Sequence, residues 1–337
     1  MYKNLYTKFN DAQIGETIKR PVLVSVISEA RDKNNNPFVR ITMKDGFSEI
    51  TPNMFKTNIS ALSGQGIVEG CVADAVISVS EYNGAKSYRI ERIAPTGDPT
   101  ISAADFMKLP PIDVEVMYSE ICAIIESAAD DMGGKYTPIS NLALTILADK
   151  KNRYITSSAA ISMHHNMKGG LIYHSYRMVK AADALCKVYP TLNRELLVCG
   201  AALHDIGKIW EYNTNESGEA AFTSSGVLFG HLYLGASLIK QYTEGRNYNP
   251  EKVKLLTHMI LSHHGTREFG AVVCPATSEA FALYYIDNLD AKLYACEDHY
   301  EAIDAGSITD RKPFGLDNRI YRPMFWGERS EDQDNCL

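Results

Sequence analysis

The sequence predicts a multidomain chain of mixed α and β class, an N-terminal five-stranded barrel of the OB type followed by an all-α domain. Three observations carry this expectation. Residues 15–95 alternate apolar and polar side chains with a period of two, the signature of strands. The stretch Ala94-Pro95-Thr96-Gly97-Asp98-Pro99-Thr100 breaks every period and reads as a linker. From about residue 103 the apolar spacing becomes that of helices. The expected divisions are 1–95 for the barrel, 96–102 for the linker, 103–327 for the helical domain and 328–337 for a polar tail expected to be disordered.

Within the barrel, Val22, Val24 and Val26 alternate in one expected strand and Val39, Ile41 and Met43 in the next. Asp45-Gly46 makes a tight turn into a third strand, Phe47–Thr51. Met54–Ser63 then crosses over, and Asn83-Gly84 turns Val72–Tyr82 back into Lys86–Ile93. Five strands in under 90 residues suit a small closed barrel. In the second part, Leu171, Ser175, Met178, Ala182 and Leu185 share one face of a helix over Gly170–Tyr189. Asn193 is placed to cap the next helix. Val253, Leu256, Ile260 and His264 line one face of Pro250–His264, and Leu283, Ile286, Asp287, Asp290 and Leu293 lie close together on Phe281–Ala295.

Composition narrows the class. The chain has 337 residues, enough for two or three domains, and 45% hydrophobic content, ordinary for a soluble globular protein. No apolar run approaches the roughly 20 residues that span a bilayer, and the first residues lack a signal-peptide pattern. Seven scattered cysteines without a C-x-x-C pair favour reduced thiols in a cytoplasm. Net charge is −7; residues 1–100 carry 12 basic and 11 acidic side chains, so the acidity belongs to the helical part. That excludes a broad basic coat but not a local groove for nucleic acid.

The chemistry-bearing pattern is His174, then His204-Asp205, then His231, then His263-His264, then Asp287 and Asp290. Imidazole nitrogens and carboxylate oxygens suit manganese, iron, cobalt, nickel or zinc, and one carboxylate can bridge two ions. A lone buried His-Asp pair is as often structural, the carboxylate fixing the imidazole tautomer. Here, however, five helices each turn an imidazole or carboxylate onto an apolar face, which is costly unless those groups are paired or ligate metal.

The segment from His174 to Asp290 resembles the HD phosphohydrolase superfamily. The whole chain resembles the YhaM family of 3′→5′ exonucleases, which join an N-terminal OB fold to an HD domain. The resemblance rests on Ala159-Ala160-Ile161-Ser162-Met163-His164-His165, Gly169-Gly170-Leu171-Ile172-Tyr173-His174-Ser175, Leu203-His204-Asp205-Ile206-Gly207-Lys208, Leu261-Ser262-His263-His264-Gly265 and Ile286-Asp287-Asn288-Leu289-Asp290-Ala291. It implies that His174, His204, Asp205 and Asp287 hold one metal, with Asp205 bridging. His231, His263 and His264 match the additional ligands of two-metal HD proteins. One or two divalent ions are implied, manganese foremost. Gly170 stands where the HD-GYP group often has glutamate, and no G-Y-P follows His264, which argues against a cyclic-dinucleotide substrate. In the barrel, Asn53-Met54-Phe55-Lys56 replaces an expected Leu-Trp-Asp-like stretch.

Further candidates surround this core. Lys208, one turn past Asp205, either meets a substrate phosphate or is a solvated lysine, and Arg267 offers the same choice. Asp290 orients a ligand or accepts a proton. His164 and His165 are candidates to line the site; His258 and His299 read as structural or surface residues. Phe38, Arg40 and Lys44 share one strand face, as a surface that stacks bases and holds phosphates would; Phe38 could equally pack against the second domain. The expected function is a metal-dependent 3′→5′ exonuclease on single-stranded RNA or DNA, free of membrane, with a homo-oligomer compatible with the sequence. The alternative is an HD phosphohydrolase on nucleotides or a signalling nucleotide.

Overall fold

The computed structural model describes residues 6–9, 11–32, 35–82, 85–107, 109–160, 167–215, 220–301, 303–313 and 315–327. The chain divides into two compact units, Met1–Lys108 and Leu109–Leu337. The expected turn at Asn83-Gly84, the pair His164-His165 and the polar tail lie outside the described residues.

The first unit is the expected closed barrel. Strand β1 (Thr17–Arg31) is long enough to serve two neighbours. Its first half pairs antiparallel with β5 (Val72–Tyr82), and its second half with β2 (Pro37–Lys44). β5 pairs with β6 (Ala85–Pro95), and a parallel contact of Asn53 with Arg89 joins β4 (Asn53–Phe55) to β6 and closes the barrel. The short α1 (Ile59–Gly64), capped by Asn58, bridges β4 and β5. Val22, Val24, Val39, Ile41, Met43 and Ile77 fill the interior.

Two expectations within the barrel need correction. Val26 does not continue the inward row of Val22 and Val24; it is 51% exposed, because a bulge shifts the β1–β2 register between Val24 and Val26. The third strand is not Phe47–Thr51. It comes in two pieces, β3 (Glu49–Ile50) and β4, separated at Thr51-Pro52, where proline has no N–H for the ladder. The division between units falls after Lys108, beyond the linker expected at 96–102, because a 3-10 turn over Ala103–Phe106 stays with β1 and buries Phe106.

The second unit is built on α2 (Val114–Ser127), α3 (Ile139–Thr156), α4 (Gly170–Val188), α5 (Arg194–Leu203), α6 (Lys208–Glu211), α7 (Ser224–Thr243), α8 (Pro250–Ser262) and α9 (Ser278–Tyr300). It is not purely helical. Between α6 and α7, β7 (Tyr212–Thr214) and β8 (Ala220–Phe222) form a two-stranded ribbon, too short to show a period in the sequence. Every residue of α5 after Arg194 is buried, so it forms the axis against which α4, α8 and α9 pack. Asn193 caps it as expected, accepting from Leu196 N. Among the described residues, no helix is long and apolar enough to cross a membrane.

Candidate active site

The ends of the helices around α5 converge on one cavity. His174 sits one turn into α4, and His204 caps the C-terminus of α5 with Asp205 directly after it. His263 caps α8, and Asp287 and Asp290 lie one turn apart on α9. His231 follows a break in α7 at Gly230, whose φ of 69° and ψ of 160° suit glycine. The turn after Asp205 lies directly against His231: a Cβ on Gly207 would come within 2.0 Å of the His231 carbonyl oxygen. The cavity measures about 820 Å³ and is lined by His174, Asp205, His231, His263, His264 and Asp287, among others.

The orientation of each ring is fixed from behind. His174 Nδ1 lies 2.7 Å from Asp290 Oδ2, and His231 Nδ1 lies 2.8 Å from Glu211 Oε2. His204 Nδ1 faces the Ala201 carbonyl at 2.9 Å, and His263 Nδ1 faces the Ile260 carbonyl at 2.8 Å. A carbonyl or ionised carboxylate only accepts, so each Nδ1 carries the proton and a neutral ring presents an Nε2 lone pair to the cavity. These lone pairs crowd together. His174 Nε2 is 3.1 Å from His204 Nε2, and His231 Nε2 is 3.2 Å from His264 Nε2. Between His174 and His204 acceptor faces acceptor, which is unfavourable unless a cation or proton lies between them; His264 is not backed in this way, its Nδ1 being buried with no hydrogen-bond partner among the described residues.

Asp205 stands at the centre. Its Oδ2 faces His204 Nε2 at 3.3 Å and His174 Nε2 at 3.8 Å. Its Oδ1 faces His231 Nε2 and His263 Nε2, each at 3.6 Å, and is buried with no hydrogen-bond partner among the described residues. Burial pushes its acidity down, but Lys208, 2.7 Å from Oδ2, together with His204 outweighs this and holds the carboxyl well below the usual range. Asp287 is also held low, burial being outweighed by His174 3.3 Å away. Burial alone would lower His174, yet Asp287 and Asp290 hold it up to about 10, a proton standing where a cation would. Burial, His263 and His231 push His264 down to about 3, which leaves it neutral. Among the described residues, three clusters have mutually close ligand atoms: His174, His204 and Asp205; His204, His263 and Asp287; and His231, His263 and His264. Nitrogen and carboxylate donors in this arrangement fit divalent transition metals.

The remaining candidates separate. Lys208 lines the cavity. Asp290 does not; it backs His174 and is held by Arg177 Nε at 2.5 Å, so it is placed to orient that ring rather than to take a proton from substrate. Arg267 is exposed and absent from the cavity wall, since the 3-10 turn Arg267–Phe269 points Phe269 there instead. Lys292 and Lys312 supply cationic lining that the sequence reading missed. His258 Nε2 accepts from Ala276 N, and His299 bonds the Ala295 carbonyl, both local roles.

On the barrel, Arg40 is exposed and Lys44 half-buried, 3.9 Å from Glu49. Phe38, read as either open for stacking or packed against the second domain, is 6% exposed, its ring 5.3 Å from that of Phe55. Phe55 is the accessible ring at 40% exposure, with the Arg89 guanidinium 5.4 Å from its centroid and Arg40 5.6 Å from Phe38. Phe55 and Arg89 escaped the sequence reading because only the β2–β4–β6 pairing brings them beside Arg40.

Residues 171–292 match the HD domain family model, and an HD domain binds divalent metal. The 3′-5′ exoribonuclease YhaM of Geobacillus sp. (strain WCH70) is 30% identical over 316 residues, covering 93% of this chain and 94% of the relative. YhaM of Bacillus subtilis (strain 168) is 29% identical over 318 residues, 93% of this chain and 97% of its own length. YhaM of Listeria innocua serovar 6a is 28% identical over 317 residues, 94% and 98%. With similarity running through barrel and helical unit alike, the chain belongs to the YhaM family of 3′-5′ exoribonucleases and is a metal-dependent 3′-5′ exonuclease.

Proposed function

We propose that the substrate is single-stranded RNA and that two divalent ions, manganese foremost, occupy the site. The observation that carries the two-ion reading is Asp205, whose oxygens divide between two sets of imidazoles. His174, His204, Asp205 and Asp287 would hold one ion; Asp205, His231, His263 and His264 would hold the other. Bound there, such ions supply hydroxide near neutral pH and offset charge on the phosphate oxygens.

The chain's own residues do the rest. Asp290 and Glu211 keep the Nδ1 protons in place, so that the Nε2 lone pairs face inward. Lys208 holds Asp205 ionised and is positioned to meet a substrate phosphate, and Lys292 and Lys312 add attraction for the same backbone. On the barrel, Phe55 offers a face on which a base can stack, with Arg40, Arg89 and Lys44 for phosphates. RNA is favoured over DNA because the relatives from Geobacillus, Bacillus and Listeria carry the name exoribonuclease. The scattered free cysteines suit a reducing, cytoplasmic setting.

The test offers purified protein and manganese a 5′-labelled RNA, the matching DNA, a circular RNA and a panel of mononucleotides. A ladder that shortens steadily on the linear RNA, with the circle spared, supports the reading. Rapid loss of the circle would indicate endonuclease action. An inert RNA beside rapidly hydrolysed mononucleotides would make the protein a small-molecule phosphohydrolase.

A further inference from the structure

We propose that Glu211 is the positioning residue of the second ion, so that this one carboxylate decides whether the protein holds two ions or one. The inference rests on the two-ion reading above. Glu211 closes the four-residue α6, six positions after Asp205, and is 5% exposed. It holds His231 at two points. Oε2 accepts from the ring at Nδ1, 2.8 Å away, and Oε1 accepts from the His231 main-chain N–H at 3.1 Å.

The main-chain bond follows from the break in α7. With Gly230 outside helical geometry, His231 begins a fresh helical run whose first N–H groups lack partners within the helix. Glu211 caps that run and, through its other oxygen, sets the ring's tautomer and direction. The Nε2 lone pair is thereby aimed between Asp205 Oδ1 at 3.6 Å and His264 Nε2 at 3.2 Å. By accepting from the ring at Nδ1, the Glu211 carboxylate increases the electron donation of Nε2.

The two ion positions are therefore supported independently. His204 and His263 lean on main-chain carbonyls, which no side-chain substitution removes. His174 leans on Asp290 and His231 on Glu211. Asp290 serves the His174 set, and Glu211 serves the His231 set.

The experiment titrates chelator-stripped, full-length protein with manganese by calorimetry and records the electron paramagnetic resonance of the loaded protein. The wild type, Glu211→Gln, Glu211→Ala and Asp290→Asn are compared. The wild type binds two ions and shows a spin-coupled pair. Glu211→Ala loses about 10–100-fold in affinity at one site while the other keeps its constant, and the coupled signal disappears. Glu211→Gln, whose amide oxygen can accept only in part, falls between. Asp290→Asn weakens the opposite site. Should the alanine variant fail to fold, the glutamine variant decides. Wild-type constants at both sites in Glu211→Gln, or equal weakening of both, overturns the role of Glu211 and leaves the two-ion reading standing. A wild type that binds a single ion overturns that reading, and the role of Glu211 falls with it.

Discussion

Asp205 is a negative charge kept where burial alone would neutralise it, and its two oxygens face both imidazole sets. Asp205→Asn keeps the shape and removes the charge. Stabilisation by metal is worth several kcal/mol in the transition state, so exonuclease turnover should fall on the order of 10³-fold. Manganese binding should be lost with it, while circular dichroism remains that of the wild type; undiminished turnover would remove Asp205 from the centre of the chemistry. The residues that converge here were legible because histidine and aspartate on apolar faces are conspicuous. Glu211 was not. A glutamate after Ile209-Trp210 looks like any solvated helix residue, and only the break at Gly230 brings His231 back onto it. Arg267 follows His263-His264 in sequence, yet it is not among the residues that line the cavity.

The helices that carry the site are pinned at their far ends by a buried ion pair. Lys252 Nζ at the start of α8 lies 2.6 Å from Glu195 Oε2 at the start of α5 and 2.8 Å from Asp130 Oδ2. Glu195 Oε1 also accepts from Ser140 N at 3.1 Å, at the start of α3. Lys252→Met strands the Glu195 carboxylate and should cost roughly 3–5 kcal/mol, read as a lower urea midpoint at pH 7. Burial lowers the Lys252 pKa, but its bonds to Asp130 and Glu195 outweigh this and raise it above 10.5. The contribution of the ammonium is therefore complete below about pH 10.5 and disappears as pH climbs through the higher folded value. The gap between wild type and variant should be constant from pH 7 to 9 and narrow above pH 11; a gap that narrows toward acid would contradict the assignment. At this scale the helices with a full apolar stripe were readable, as were the barrel strands. The β1 bulge, the break at Pro52 and the β7–β8 ribbon were not, because each depends on a partner strand or spans only three residues.

For the whole molecule, net charge of −7 gives no hint of a nucleic-acid-binding face, since the cations proposed for it are few and local. Arg40→Ala and Arg89→Ala should each weaken single-stranded RNA binding and reduce the slope of log K against log salt by about 0.7. An unchanged slope would remove both from the phosphate path. The convergence of ring nitrogens on the cavity also ties the folded state as a whole to metal. The donors come from α4, α5, α7, α8 and α9, stretches far apart in the chain, so the unfolded polypeptide cannot present them together. Metal should therefore bind the native form almost exclusively and stabilise it by mass action, by about 2.7 kcal/mol per site at a hundred times the dissociation constant. The melting temperature then becomes a gauge of free metal. The ion supply that governs how fast the enzyme cuts its substrate would also govern how long the enzyme itself survives.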